Sequence, residues 1–148
     1  SSDLTNKFGA LYKIQGEYPK FNLNDVITKF GVETNYNNKI IKWLLYDDNL
    51  IKLAEIEQKL LEGCKELGGE YVETKLLYKI GFKPMLVTKI RNNCSANDIL
   101  KHEEGDILSF DDIKKNLRYN VSLVIKNVSI KEGSIFYNFE ITKIEKCQ

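Results

Sequence analysis

Two segments near the end of the chain, YNVSLVIKNVSI at 119–130 and SIFYNFEITKI at 134–144, are separated only by Lys131, Glu132 and Gly133. In the second, Ile135, Tyr137, Phe139 and Ile141 recur at every other position. A period of two sends successive side chains to opposite faces of a strand, so these four share one face and Phe136 takes the other. A three-residue connection containing glycine suits a tight hairpin. The stretch predicts two long antiparallel strands with one apolar face.

The same alternation returns upstream. Between 71 and 82, Val72, Thr74, Leu76, Tyr78, Ile80 and Phe82 alternate with Glu73, Lys75, Leu77, Lys79 and Gly81, predicting a strand with a core face and a lysine-bearing face. Pro84 interrupts it, and Leu86, Thr88 and Ile90 resume the pattern. Residues 39–46 read as a buried strand around Trp43. Residues 8–23 predict a first hairpin, with Phe8, Ala10, Tyr12 and Ile14 on one arm and Tyr18, Phe21 and Leu23 on the other. Asn24 and Asp25 then suit a short helical turn ending at Gly31. Residues 92–105 predict an irregular surface loop, and 110–117 a short helix capped by Ser109 or Asp111.

One long helix interrupts the strands. After Asp47 and Asp48, Leu53, Ile56, Leu60, Cys64 and Leu67 recur at three- and four-residue steps as one apolar stripe, and Gly68 and Gly69 stop it. The fold class is therefore mainly β (α+β). The expectation is a small antiparallel β-barrel carrying one amphipathic helix at about 48–67, because several strands in a short chain need closure to hide their edges.

The chain has 148 residues and 43% apolar content, enough for a single domain over 1–148 with its own core. Residues 1–6 are expected to be a flexible terminus. No run approaches the roughly 20 apolar residues of a membrane span, and Ser1 to Lys7 contain no apolar signal core. Cys64, Cys94 and Cys147 are odd in number and far apart, which fits free thiols in a reducing, cytoplasmic setting. Only His102 could join them as a fourth zinc ligand, so neither a metal nor another cofactor is expected. The net charge of +1 gives no global attraction to polyanions, so any nucleic-acid site must gather its lysines on one face.

Catalytic patterns are sparse. His102 is the single histidine and stands beside Glu103 and Glu104, the surroundings of a solvated side chain. No nucleophile elbow, phosphate-binding loop or dinucleotide fingerprint occurs. Glu73 and Lys75 sit two apart on the same face of the expected strand, as in metal-dependent nucleases, with Asp47 or Asp48 as the upstream carboxylate. Asp47, Asp48, Asp111 and Asp112 also precede helical patterns, where carboxylates favour the positive helix end.

Aromatic residues interleaved with cations carry the binding hypothesis. Lys42 and Trp43 lie on one strand, Tyr71, Lys75 and Lys79 on another, and Arg118 with Tyr119 leads into a third; Phe136 faces away from the core. Single strands are gripped by aromatic platforms that stack bases and cations that follow phosphates.

The stretch 108–144, LSFDDIKKNLRYNVSLVIKNVSIKEGSIFYNFEITKI, resembles a piece of an OB-fold binding protein, in which a long strand, a short turn and an aromatic-rich strand follow one another. In size and in its Lys, Asn and Ile bias, the chain is similar to the compact single-stranded DNA-binding proteins of large cytoplasmic DNA viruses and yeast linear plasmids. The resemblance covers about a quarter of the chain. It departs from the usual OB order in placing the long helix near the middle, and Asn116, Leu117 and Arg118 stand where a glycine would precede Tyr119. It implies an OB-like barrel whose groove is lined by Lys126 and Phe136 with Trp43 and the lysines of 71–82. It implies also a sequence-independent, salt-sensitive grip on single-stranded DNA during replication, without metal. RNA is the alternative strand, and replication proteins or a second copy are the protein partners.

Two other functions remain open on the residues. A protein-interaction or assembly subunit would expose an apolar patch along the 53–67 helix stripe. A nuclease would bring Asp48, Glu73 and Lys75 into one metal site.

Overall fold

The computed structural model describes residues 20–101 and 109–147. The expected hairpin at 8–23, up to residue 19, lies outside the described residues, as do the 1–6 terminus and His102. In chain order the elements are β1 Lys20–Val26, β2 Thr28–Asn35, β3 Asn38–Leu44, helix α1 Asp47–Cys64 and a 3-10 turn at Lys65–Leu67. Then come β4 Tyr71–Val72, β5 Leu76–Leu77, β6 Met85–Ile90, the one-turn helix α2 Ala96–Ile99 and β7 Leu100–Lys101. A 3-10 turn at Phe110–Asp112 precedes β8 Tyr119–Lys131 and β9 Ser134–Lys146.

The β8–β9 hairpin forms the frame. Its register runs from Lys131↔Ser134 to Tyr119↔Lys146. Glu132 and Gly133 turn it with φ of 51° and 85°, the left-handed pair whose twist matches the flanking strands. Ile135, Tyr137, Phe139 and Ile141 face the core, and Phe136 is 42% exposed on the outer side. A bulge between Lys126 and Ser129, with Asn127 at φ 59°, adds local bend.

The fold is mainly β and OB-like. Its hydrogen-bonded path runs β1-β8-β9-β6-β3-β2, an open sheet with β1 at one end and β2 at the other. These two ends are consecutive in the chain, with only Ile27 between them. The first half of one bent segment thus pairs with β8 and the second half with β3, so the sheet curls until its ends meet through the backbone. Across the curl, β6 and β9 run parallel and share only the pair Lys89↔Glu140. Beside this thin seam, the chain at 71–77 is laid in as a wedge. β4 pairs with β9, β5 pairs with β6, Glu73 N–H donates to Ile135 O (2.9 Å), and Val87 N–H donates to Lys75 O (3.0 Å).

Inside, Tyr137 meets Phe139 edge-on at 5.1 Å, Phe139 meets Phe21 at 5.5 Å, and Trp43 meets Tyr119 at 6.0 Å, arrangements that aromatic quadrupoles favour. Helix α1 buries Leu53, Leu60 and Cys64 against the sheet, so its stripe is core and not the docking face that an assembly subunit would present there. Gly68 ends the helical stretch at φ 93°. At Gly69 a Cβ would stand 2.7 Å from Ile135 Cδ1 and 2.8 Å from Cys64 Cβ, so only glycine lets the helix exit pass this close to β9. Burial pushes the Cys64 thiol up to about 11, which suits an inert core cysteine.

Four local expectations are corrected. The turn of helix at 24–31 is instead the bend from β1 to β2, where Thr28 Oγ1 accepts the Gly31 N–H (3.1 Å) at the register shift. Pairing with β8 and β3 outweighs the weak local cap signal there. The strand at 71–82 is broken into β4 and β5, and Tyr78, Ile80 and Phe82, expected on a core face, are exposed because no neighbouring strand extends past Leu77. Within 92–105, Ser95 and Asp98 cap α2 reciprocally, with Ser95 N–H donating to Asp98 Oδ2 at 2.8 Å, and Cys94, Ala96 and Ile99 are buried. The helix at 110–117 is reduced to the 3-10 turn, capped in the same reciprocal way by Ser109 and Asp112.

Candidate nucleic-acid interface

Alternation along β3 sends Ile41 and Trp43 inward and leaves Ile40 and Lys42 on the outer side. Registers carry this outer face across the sheet. One row runs Glu33, Ile40, Lys89, Glu140 and Val124, and a second joins Lys42 to Val87, whose N–H is bonded to Lys75 O. Where β6 and β9 diverge, a cleft of about 250 Å³ opens on this face. Asn35, Asn38, Ile40, Lys75, Lys89 and Asn138 line it, with Tyr36 at its β2–β3 turn. Half-burial at the cleft pulls the Lys75 ammonium below the ordinary lysine range, because removing water penalises the charged form.

Beside the cleft stands a cation–aromatic cluster. Lys42 Nζ lies 5.6 Å and Lys79 Nζ 5.3 Å from the centre of the Phe30 ring, and Phe82 packs against Phe30 at 5.9 Å. Both ammonium heads thus sit over the Phe30 ring, whose quadrupole attracts a cation. Lys42 also meets Glu33 at 3.4 Å, and Glu33 Oε1 is buried without a hydrogen bond. The pair holds Lys42 back from an incoming phosphate. Glu33→Gln is expected to free it, steepening the salt dependence of polyanion binding by about 0.7 in log–log slope, the share of one single-strand phosphate contact. An unchanged slope in anisotropy titrations would count against Lys42 as a phosphate ligand.

The nine side chains singled out from sequence separate into groups. Lys42, Lys75 and Lys79 come together around the cleft and the Phe30 ring. Lys126 is the cross-strand partner of Asn138, and Phe136, two residues before Asn138, shares its outer face. Tyr71 is half exposed at the margin, paired in register with Ser134. Trp43 and Tyr119 are enclosed and offer no stacking platform. Trp43 is 0% exposed and donates Nε1–H to Thr88 Oγ1 (3.0 Å), while the Tyr119 hydroxyl accepts the Lys114 N–H (2.9 Å) inside the fold. Arg118 is ion-paired with Asp25 at 3.1 Å, at the end of β8 away from the hairpin turn.

Local pattern does not single out Phe30, Phe82 or Lys89. A charge signal was available for part of this set. From 74 to 97 the chain carries Lys75, Lys79, Lys83, Lys89 and Arg91 and no Asp or Glu, within a protein of net charge +1.

The strand expected to carry the nuclease pair is not formed. Residues 73–75 are not a strand, and Glu73 Oε1 accepts the Ser134 hydroxyl at 3.1 Å. Among the described residues no three His, Cys, Asp or Glu side chains are grouped as a metal site.

No protein-family model and no curated protein sequence matches the chain. Solved structures that share its fold include two of one phage protein. One is the single-stranded DNA-binding protein from bacteriophage Enc34, with a TM-score of 0.56, 11% identity, and coverage of 86% of this chain and 79% of that one. The other is a C-terminal truncation of the same phage protein, with a TM-score of 0.52, 11% identity, and coverage of 86% and 83%. At such identity the likeness is one of fold.

Proposed function

We propose that the protein binds single-stranded DNA along the outer face of β2, β3 and β6, without sequence preference, as a non-enzymatic support of replication. The observation that carries this reading is the juxtaposition of the Phe30–Phe82 ring pair and its lysines with the lysine-lined cleft. Rings give bases a surface on which any base can stack, and the ammonium groups follow the phosphates. Asn35, Asn38 and Asn138 supply amides that accept or donate to whichever base edge is presented. The likeness of fold to a phage protein that binds single-stranded DNA adds support to this choice of ligand.

The test is anisotropy of a labelled oligo-dT strand at two salt concentrations. If Lys75, Lys79 and Lys89 each displace counterions while Glu33 holds Lys42 back, the log–log slope is about −2.1, and binding weakens about 20-fold between about 50 and 200 mM salt. No binding at the lower salt, or binding indifferent to salt, would overturn the reading.

A further inference from the structure

The groove accounts for the ring pair and its lysines but not for the hairpin tip beyond them. β5 and β6 pair only through Leu76↔Leu86 and Leu77↔Met85, and the chain between them projects past the sheet. A turn closes the projection: Phe82 N–H donates to Lys79 O at 3.1 Å, with Gly81 at φ 86°, the left-handed value a type II turn demands at that position. At the tip, Ile80 is 100% exposed and Tyr78 72% exposed. An apolar pair held this far out on an ordered turn gains nothing for the fold, so burial against a partner is its most favourable fate.

Three observations identify the partner. Lys79 and Lys83 flank the tip, no acidic residue occurs from 74 to 97, and the cationic surroundings suit a polyanion. The tip is rooted in the groove, since Phe82 rests on Phe30 and Lys79 reaches the same ring. A branched aliphatic side chain beside a phenol is, moreover, suited to an exposed end of a base stack. Apolar side chains wedge against or between base pairs in this way, while lysines beside them neutralise the two backbones.

We propose that the 78–83 tip is a junction site, in which Ile80 and Tyr78 pack on the terminal base pair of a duplex whose single-stranded tail lies in the groove. This rests on the single-strand reading above. The protein is then a binder of single-strand–duplex boundaries and not of uniform single strands alone.

The experiment compares a dT tail alone with the same tail joined to a short duplex, for wild type and for a variant carrying Tyr78→Ser with Ile80→Ser. Wild type is expected to bind the tailed duplex about tenfold tighter than the tail, a ratio that falls to about one in the variant while tail affinity is retained. Equal wild-type affinities for the two DNAs, or a variant that keeps the preference, overturn the junction site and leave the groove standing. A wild type that binds neither DNA removes both readings. Flotation with phosphatidylserine vesicles serves as the control. Flotation that requires Tyr78 and Ile80, with an unchanged DNA preference in the variant, assigns the tip to lipid and overturns the proposal.

Discussion

Trp43→Ala is expected to lose about 3–5 kcal/mol of stability, the range for deleting a large buried aromatic side chain. The indole is fully enclosed, packs edge-on against Tyr119, and opens a hydrogen-bond relay in which Nε1–H donates to Thr88 Oγ1 and the Thr88 hydroxyl donates to Ile41 O at 2.8 Å. Truncation therefore leaves a cavity and takes one donor away from a buried hydroxyl. Domains of this size have only about 5–15 kcal/mol in total, so the variant should unfold at much lower urea. Urea titration by circular dichroism checks this, and a shift worth under about 1 kcal/mol would show that Trp43 is not the structural keystone its burial implies. Because the ring is shielded, its emission should also respond little to oligo-dT.

The second large effect concerns binding. Phe30→Leu combined with Phe82→Ala is expected to weaken oligo-dT binding by about 2 kcal/mol, or roughly 30-fold, taking the low end of the stacking contribution for each ring. Leucine keeps apolar bulk at Phe30, which is half buried, while Phe82 is 40% exposed and can be shortened with little cost to the core. The salt slope should change little, because the groove lysines are untouched. Anisotropy and a urea midpoint measured on the same preparation separate binding from folding. An affinity within about threefold of wild type, with the fold intact, would remove the ring pair from the interface.

A substantial part of this architecture could be read from local pattern. The hairpin at β8–β9, the core face of Ile135, Tyr137, Phe139 and Ile141, and the outward Phe136 follow from a two-residue period and a glycine-containing turn. The α1 stripe and its glycine stop follow equally from a helical period. The site was less legible. Lys42, Lys75 and Lys79 are legible because lysines near aromatics are conspicuous, whereas Trp43 and Tyr119 are ambiguous because an aromatic residue looks the same in sequence whether it packs inward or stacks outward. Phe30 was hidden inside what read as a helical turn.

Local pattern sets which side chains alternate, where the helix and hairpin stop, and that five cations follow one another from 74 to 97 without a carboxylate. Which alternating segments find a neighbour depends on pairing between distant parts of the chain. Residues 72 and 76 are taken into the wedge between β9 and β6, but the same alternation at 78–82 meets no strand and stays in solvent. Tertiary structure likewise brought Phe30 from one segment beside Lys79 and Phe82 of another. Periodicity fixes the direction of each side chain relative to its own backbone, while burial depends on backbone pairing supplied by residues distant in the chain.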